Sequence, residues 1–425
     1  MPKLNSTEMQ SHAPRTSKTH HPSLATLLGP AFVAAIAYVD PGNVAANITA
    51  GARYSYLLVW VLLASNLAAM LIQYLSAKLG LVTRQSLPTL LGTRLKKRAR
   101  IGYWLQAEVV AAATDLAEVI GGALALHLLF GLPLLTAGLI IGVVSTLLLT
   151  LQGGGTQKIF ERVIIGLLLI ITIGFLAGLA IAPPDGPSVV AGLVPRFAGT
   201  DSVLVAASML GATVMPHAIY LHSSLVNDHD EKAPRADLKH HLRATRIDIV
   251  WALGLAGIVN IGLLLLAASA LSGVSGTDTI EGAHAAIASA LGPVVATIFA
   301  VGLLASGLAS TSVGAYAGSE IMAGLLHIRI PLIVRRLITL IPALIILGIG
   351  AEPTWALVVS QVILSFGIPF AIIPLIRYTR QPSIMGEHSN ATLTQVCGTL
   401  IAVAIVALNI FLVALTLAPC FGFDI

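Results

Sequence analysis

Charge is what this sequence most lacks. Only 10% of its 425 residues are Asp, Glu, Lys or Arg, against about 25% in a soluble globular domain. A chain this poor in charge cannot solvate its whole surface, which excludes a water-soluble enzyme or binding module. Cysteine is scarce too. Cys397 and Cys420 stand far apart, form no Cys-x-x-Cys pair and give no basis for a disulfide framework or a thiolate metal site. No His-Glu-x-x-His occurs, so a zinc-protease helix is absent. The net charge of +5 does not point to nucleic acid, because the basic residues sit in short segments between apolar runs, where membrane topology explains them better.

What is present is hydrophobicity, at 56% of residues. At about 20 residues per crossing, eleven apolar spans are read near 24–50, 55–80, 101–130, 132–151, 159–182, 201–226, 245–272, 284–326, 333–350, 353–376 and 393–418. The expected fold class is an all-α integral membrane protein. Run 284–326 exceeds one straight crossing and is expected to include an amphipathic stretch before the membrane, since Glu281, Gly282 and His284 precede it. Residues 1–22 are polar, with no apolar run and small-residue cleavage site after them, and read as a disordered cytoplasmic tail rather than a signal peptide. Residues 23–425 read as one transmembrane domain, with no soluble domain.

Loop charge sets the expected orientation. With the N-terminus in the cytoplasm, segment 81–100 (Arg84, Arg94, Lys96, Lys97, Arg98, Arg100) and segment 227–244 (Lys232, Arg235, Lys239, Arg243) face inside. Of the 24 Lys and Arg residues, only Arg53 and Arg196 then fall outside. The C-terminus is expected to be extracytoplasmic. The Pro/Gly-rich outer loop 183–200 divides the first ten spans into five plus five, repeat one over 24–182 and repeat two over 201–377, with an additional helix at 393–418. Five is odd, so the second set runs inverted, as in many secondary transporters.

Both first spans of the two sets are interrupted. Span one contains Asp40-Pro41-Gly42-Asn43. A carboxylate near mid-bilayer costs about 2.5–3.5 kcal/mol on insertion scales. Pro41 removes a backbone donor, and a helix broken at membrane depth is tolerated only where it is buried in protein or lines a cavity. Span six contains Gly211-Ala212-Thr213-Val214-Met215-Pro216-His217. Pro216 frees the carbonyl of Ala212, which a cation would satisfy. Met215 sets a soft thioether beside it, a donor that favours a transition metal over Mg²⁺ or Ca²⁺. The expected metal ligands are the Asp40 carboxylate, the Asn43 amide oxygen, the Ala212 carbonyl and the Met215 sulfur. The carbonyl of Ala37, freed by Pro41, is a candidate extra ligand in one conformation. Alone, Met215 reads more readily as core packing and each proline as a kink. Their matched positions in inverted repeats favour a site.

These two motifs, in this order and spacing, resemble the Nramp family of proton-coupled divalent metal transporters, and the resemblance covers nearly the whole chain. It implies a LeuT-like fold with discontinuous first and sixth helices. It also implies Mn²⁺ or Fe²⁺ as substrate, and import into the cytoplasm driven by protons. It carries metal ligation onto Asp40, Asn43, Ala212 and Met215, and makes Gln361 in span ten a candidate ligand when the site is occluded. One departure is Gly307-Leu308-Ala309-Ser310-Thr311, where many members have Gly-Gln-Ser-Ser-Thr. This reads as variation in gating or packing.

Span three carries Glu108, Asp115 and Glu118. At 100° per residue, Asp115 lies about 20° and Glu118 about 80° from Glu108, one shared face. Such a stripe suits a proton relay; buried ion pairing is the alternative. Arg335 and Arg336, opening span nine, are candidate counter-charges. Asp40 is expected to be the first proton acceptor. The family resemblance associates Asp115, Glu118, His217 and Arg336 with proton movement. His217 is read as a relay or structural polar group and His222 as hydrogen-bonded packing; His20, His21, His240 and His241 read as solvated.

No cofactor is expected, and the partners are the lipid bilayer, divalent metal ions and protons, with a functional monomer in the cell's inner membrane. Two other functions compete. A neutral amino acid transporter on the same scaffold would place a substrate carboxylate beside Asp40, which repels it. An intramembrane serine hydrolase rests on Gly273-Val274-Ser275-Gly276 alone, a cheap match in a loop of small residues.

Overall fold

The computed structural model describes residues 29–151, 157–230, 238–277 and 279–417. The tail 1–22 with His20 and His21, the loop residues Lys232 and Arg235, and Cys420 lie outside the described residues.

All regular structure among the described residues is helical. The first crossing is α1 (Pro30–Ala35), a 3₁₀ turn (Ile36–Val39) and α2 (Pro41–Tyr54). Next come α3 (Val59–Thr83), the short α4 (Leu87–Arg94), α5 (Lys97–Phe130), α6 (Leu134–Thr150), α7 (Gln157–Leu176) and the short α8 (Gly186–Ala191). The second set opens with α9 (Thr200–Thr213) and α10 (Pro216–Asp230). It continues through α11 (Leu238–Ala270), α12 (Ile280–Leu291), α13 (Pro293–Leu326), α14 (Leu332–Gly348) and α15 (Pro353–Arg380). The one-turn α16 (Pro382–Met385) leads to α17 (Thr392–Leu417). Eight helical runs are long and apolar enough to span a membrane unaided. With the broken first crossing, α6 and α14, they make eleven crossings among the described residues.

Several expected boundaries move. Run 284–326 is two helices: Gly292 adopts φ +93°, Pro293 starts α13, and the preceding α12 is capped by the Thr279 side chain accepting from Gly282 N at 3.0 Å. This is the extra stretch expected before the membrane. Segment 81–100 is not a plain loop, because Ser86 caps α4 and α5 already begins at Lys97. The described parts of segment 227–244 are helical, since α10 runs to Asp230 and α11 starts at Leu238. The outer loop contains α8, capped by Asp185, and docks on α3 through Trp60 N donating to Gly192 O at 3.0 Å. The Asp185 carboxyl lies below its ordinary range, held charged by hydrogen bonds from Ser188.

Small residues let the central helices approach closely. A Cβ at Gly307 on α13 would lie 2.7 Å from backbone atoms of Gly122 on α5, and one at Gly174 on α7 would lie 2.6 Å from the Gly302 Cα on α13. Without a hydrophobic driving force in lipid, such backbone proximity is what holds membrane helices together. At Gly121 the same closeness seats the ring of Pro41, so the first break is wedged against α5.

Candidate metal site at the paired helix breaks

Asp40 ends the 3₁₀ turn with extended backbone (φ −70°, ψ 166°) and caps α2, with Pro41 at its first position. Its Oδ1 accepts from Asn43 N at 2.8 Å and from Asn43 Nδ2 at 2.7 Å. The motif is therefore a helix N-cap as well as a break, since Asp at N-cap and Pro at N1 are both favoured there. The second break is two residues wide. The helix ends at Thr213, Val214 turns extended (φ −104°, ψ 90°), and Pro216 starts α10.

One side chain joins the two breaks. Asn43 Nδ2 also donates to the Ala212 carbonyl at 2.9 Å, the acceptor that Pro216 deprives of its helical partner. Asp40, Asn43, Ala212 and Met215 are all buried, each at most 2% exposed. The remaining oxygens, Asp40 Oδ2 and Asn43 Oδ1, make no hydrogen bond among the described residues, and neither does either ring nitrogen of His217. Buried polar atoms are almost always satisfied, so the two neighbouring oxygens of Asp40 and Asn43 are candidate ligand atoms. Gln361 on α15 reaches the same spot: its amide lies against Gly42, where a Cβ would also stand 3.3 Å from Asp40 Oδ2. Ala37 is buried in the 3₁₀ turn. Among the described residues no group of three or more His, Cys, Asp or Glu side chains has metal-binding geometry. The donors gathered here are instead one carboxylate, two amides and a carbonyl, and Met215 is buried three residues beyond Ala212.

The acid stripe of α5 meets α14 and α13. Glu108 accepts from Arg335 Nη2 at 2.7 Å. Asp115 is ion-paired to Arg336, accepts from Thr311 Oγ1 at 2.5 Å, and Arg336 Nη2 donates to Ser145 Oγ at 2.9 Å. The ion-pairing alternative thus describes two of the three acids. Glu118 is fully buried, has no ion pair among the described residues, lies against Gly314, and is within electrostatic reach of both Asp115 and Asp40. Thr311, which closes the Gly307–Thr311 run on α13 and does not depart from the family's pattern, is a partner of this network.

Several polar residues went unnoticed in the sequence. The carbonyls released before the first break are taken by side chains: Asn260 Nδ2 donates to Tyr38 O at 2.6 Å and Ser306 Oγ to Val39 O at 2.5 Å. Asn47 donates to Asn260 Oδ1 at 2.8 Å. Gln73 Nε2 donates to the Tyr38 hydroxyl at 2.7 Å, and its Oε1 pairs with His222 Nδ1 at 2.8 Å, which is the packing role expected of His222. An amide inside an apolar span is a usable signal for such positions. Asp248 on α11 accepts from Gly29 N (3.2 Å) and Ala31 N (2.9 Å), capping α1 from another helix. At Gly273-Val274-Ser275-Gly276 both glycines have positive φ (77° and 81°), so this is an exposed tight turn, which accounts for its composition.

The chain matches the family model described as natural resistance-associated macrophage protein-like (Nramp) over residues 31–415. It is 57% identical over 391 residues to a divalent metal cation transporter MntH of Mycobacterium tuberculosis, covering 92% of this chain and 91% of that one. With the MntH of Bacillus subtilis it shares 49% identity over 393 residues, 92% of each chain. The crystal structure of the Eremococcus coleocola manganese transporter superposes with TM-score 0.86 at 31% identity, over 95% of this chain and 88% of that one. A nucleobase-cation-symport-1 transporter shares the fold at TM-score 0.59 and 15% identity, over 92% of this chain and 93% of that one. By the extent of the family match and these identities, the chain belongs to the Nramp family of membrane transporters.

Proposed function

We propose that this protein imports a divalent transition metal ion, Mn²⁺ or Fe²⁺, across the cell membrane, and that proton movement is coupled to it. The observation that carries this is the meeting of two helix breaks at one buried point, where Asp40 Oδ2 and Asn43 Oδ1 have no hydrogen-bond partner among the described residues. The Asn43 amide group stands between the Asp40 carboxylate and the Ala212 carbonyl, with its positive edge toward both. A half-turn of its terminal torsion presents Oδ1 to the same point, so a cation can replace the amide protons there. Met215 adds the soft donor that sets a transition metal apart from Ca²⁺. An amino acid substrate fits less well. Its carboxylate would need the N-terminus of α2, and Asp40 already occupies the Asn43 N–H there.

Metal arriving at Asp40 competes with any proton held there. The proton leaves toward α5, where Glu118 can exchange it without breaking an ion pair, while Asp115 and Glu108 stay bound to their arginines. The manganese transporter named among the similar structures, and the MntH relatives, support a divalent metal as substrate. The N-terminus is assigned to the cytoplasm by loop charge, with the protein acting as a monomer. Mn²⁺ uptake into proteoliposomes with simultaneous internal pH recording tests both parts. Uptake accompanied by acidification is expected. Uptake unaffected by Asp40→Ala would remove the site, and uptake indifferent to an imposed pH gradient would remove the coupling.

A further inference from the structure

A groove of about 730 Å³ lies away from the paired breaks, between α15 and α17. Its two ends differ in chemistry. Arg377 and Arg380 on α15 face Gln395 and Thr399 on α17 at one end, and the other end is lined by apolar residues such as Val403 and Ile410. The helices run antiparallel, so the polar group gathers at the C-terminal end of α15, the end that loop charge assigns to the cytoplasm. Both arginines are exposed, and neither makes an ion pair or hydrogen bond among the described residues. No acidic residue lines the groove, and Arg94 adds positive charge nearby, with its guanidinium 5.8 Å from the Tyr378 ring centroid.

The length also carries information. From Thr399 to Ile410 the helix rises about 16 Å at 1.5 Å per residue, close to half of a hydrocarbon core about 30 Å thick. The groove is thus one leaflet deep, with fixed positive charge at the headgroup level and an apolar trough beneath it. Small residues, Ala402 and Ala407, keep the trough open. A guanidinium pair at that level suits a phosphodiester, which it can bind through paired N–H donors.

We propose that this groove is a binding site for an anionic glycerophospholipid of the inner leaflet, its phosphate between Arg377 and Arg380 and an acyl chain along α17. Neither arginine touches the paired breaks, so metal binding there continues without the lipid.

Native mass spectrometry of the full chain, purified in neutral detergent, tests this with three probes: phosphatidylglycerol, phosphatidylcholine and free glycerol phosphate. The wild type should retain phosphatidylglycerol on the order of tenfold better than phosphatidylcholine, and glycerol phosphate should not compete. Arg377→Gln with Arg380→Gln should erase the preference, Arg377→Lys with Arg380→Lys should keep most of it, and Ala407→Trp should reduce retention of both lipids. Mn²⁺ binding by each variant, unchanged from wild type, reports that the fold is intact. Equal retention of both phospholipids, a preference that survives the double Gln substitution, or displacement by glycerol phosphate would overturn the proposal. If the Gln variant loses Mn²⁺ binding, Ala407→Trp decides: retention at the wild-type level there overturns it as well.

Discussion

Replacing Arg336 by Leu should expose how the acid stripe is held. Both side chains of the Arg336–Asp115 pair are out of solvent, at 0% and 2% exposure. Removing the guanidinium leaves Asp115 with a single neutral donor, Thr311, and leaves Ser145 Oγ, which still donates to Gly142 O, without the N–H it accepts. Breaking such a pair from one side costs about 3–5 kcal/mol, because a buried charge is left uncompensated. The carboxylate can escape by taking a proton, and for an ordinary Asp that costs about 4 kcal/mol at pH 7 but only about 1.5 kcal/mol at pH 5. The penalty in Arg336→Leu is therefore capped near 4 kcal/mol at neutral pH and shrinks as pH falls. Asp115→Asn has no such escape, since the guanidinium cannot lose its proton, so its penalty should stay flat with pH. The double variant carries no buried charge and should recover most of the loss. The Arg335–Glu108 pair is an internal comparison: Glu108 is 22% exposed, so Arg335→Leu should cost less. Unfolding in mixed micelles with rising dodecyl sulfate, at pH 5 and pH 7, measures each value. A destabilisation below about 1 kcal/mol at pH 7, or one that does not change between the two pH values, would refute the reasoning.

Further substitutions follow from the same geometry. Met215→Ala should chiefly loosen discrimination against Ca²⁺ and Mg²⁺ while Mn²⁺ uptake persists at reduced rate; competition assays in proteoliposomes read this, and Ca²⁺ excluded as strongly as before would defeat the thioether argument. Gly42→Ala puts a methyl into the Gln361 amide and beside Asp40 Oδ2, so Mn²⁺ affinity by titration calorimetry should fall on the order of tenfold in a folded protein. Unchanged affinity would show that the amide does not matter there. Asp248→Ala removes the cap on Gly29 N and Ala31 N, a loss of about 0.5–2 kcal/mol, and should raise amide exchange in α1 but not in α2. Equal exchange in both halves would count against it.

Much of this protein is dictated by residue type and order alone. Scarcity of charge forces the chain into lipid, and lipid forces every described crossing to be helical, since no water is there to satisfy an open backbone. Pro41 and Pro216 break their helices wherever they are placed, because a proline has no N–H to give. Asp40 and the Ala212 carbonyl are therefore legible in the sequence, through the cost of an acid and an orphan carbonyl at membrane depth, and the structure sets the Asn43 amide between them. The length of run 284–326 signals more than one helix, but the position of the split at Gly292 does not show in hydropathy, because a single glycine's positive φ leaves no trace there. What only the tertiary structure decided are the partnerships. Asn43 reaches Ala212 across 169 positions, Asp248 caps a helix 217 positions away, and Arg336 chooses Asp115 while Arg335 chooses Glu108. Such pairings depend on which helices lie side by side, and that is set by where glycines let backbones touch, a three-dimensional fit that no local pattern encodes.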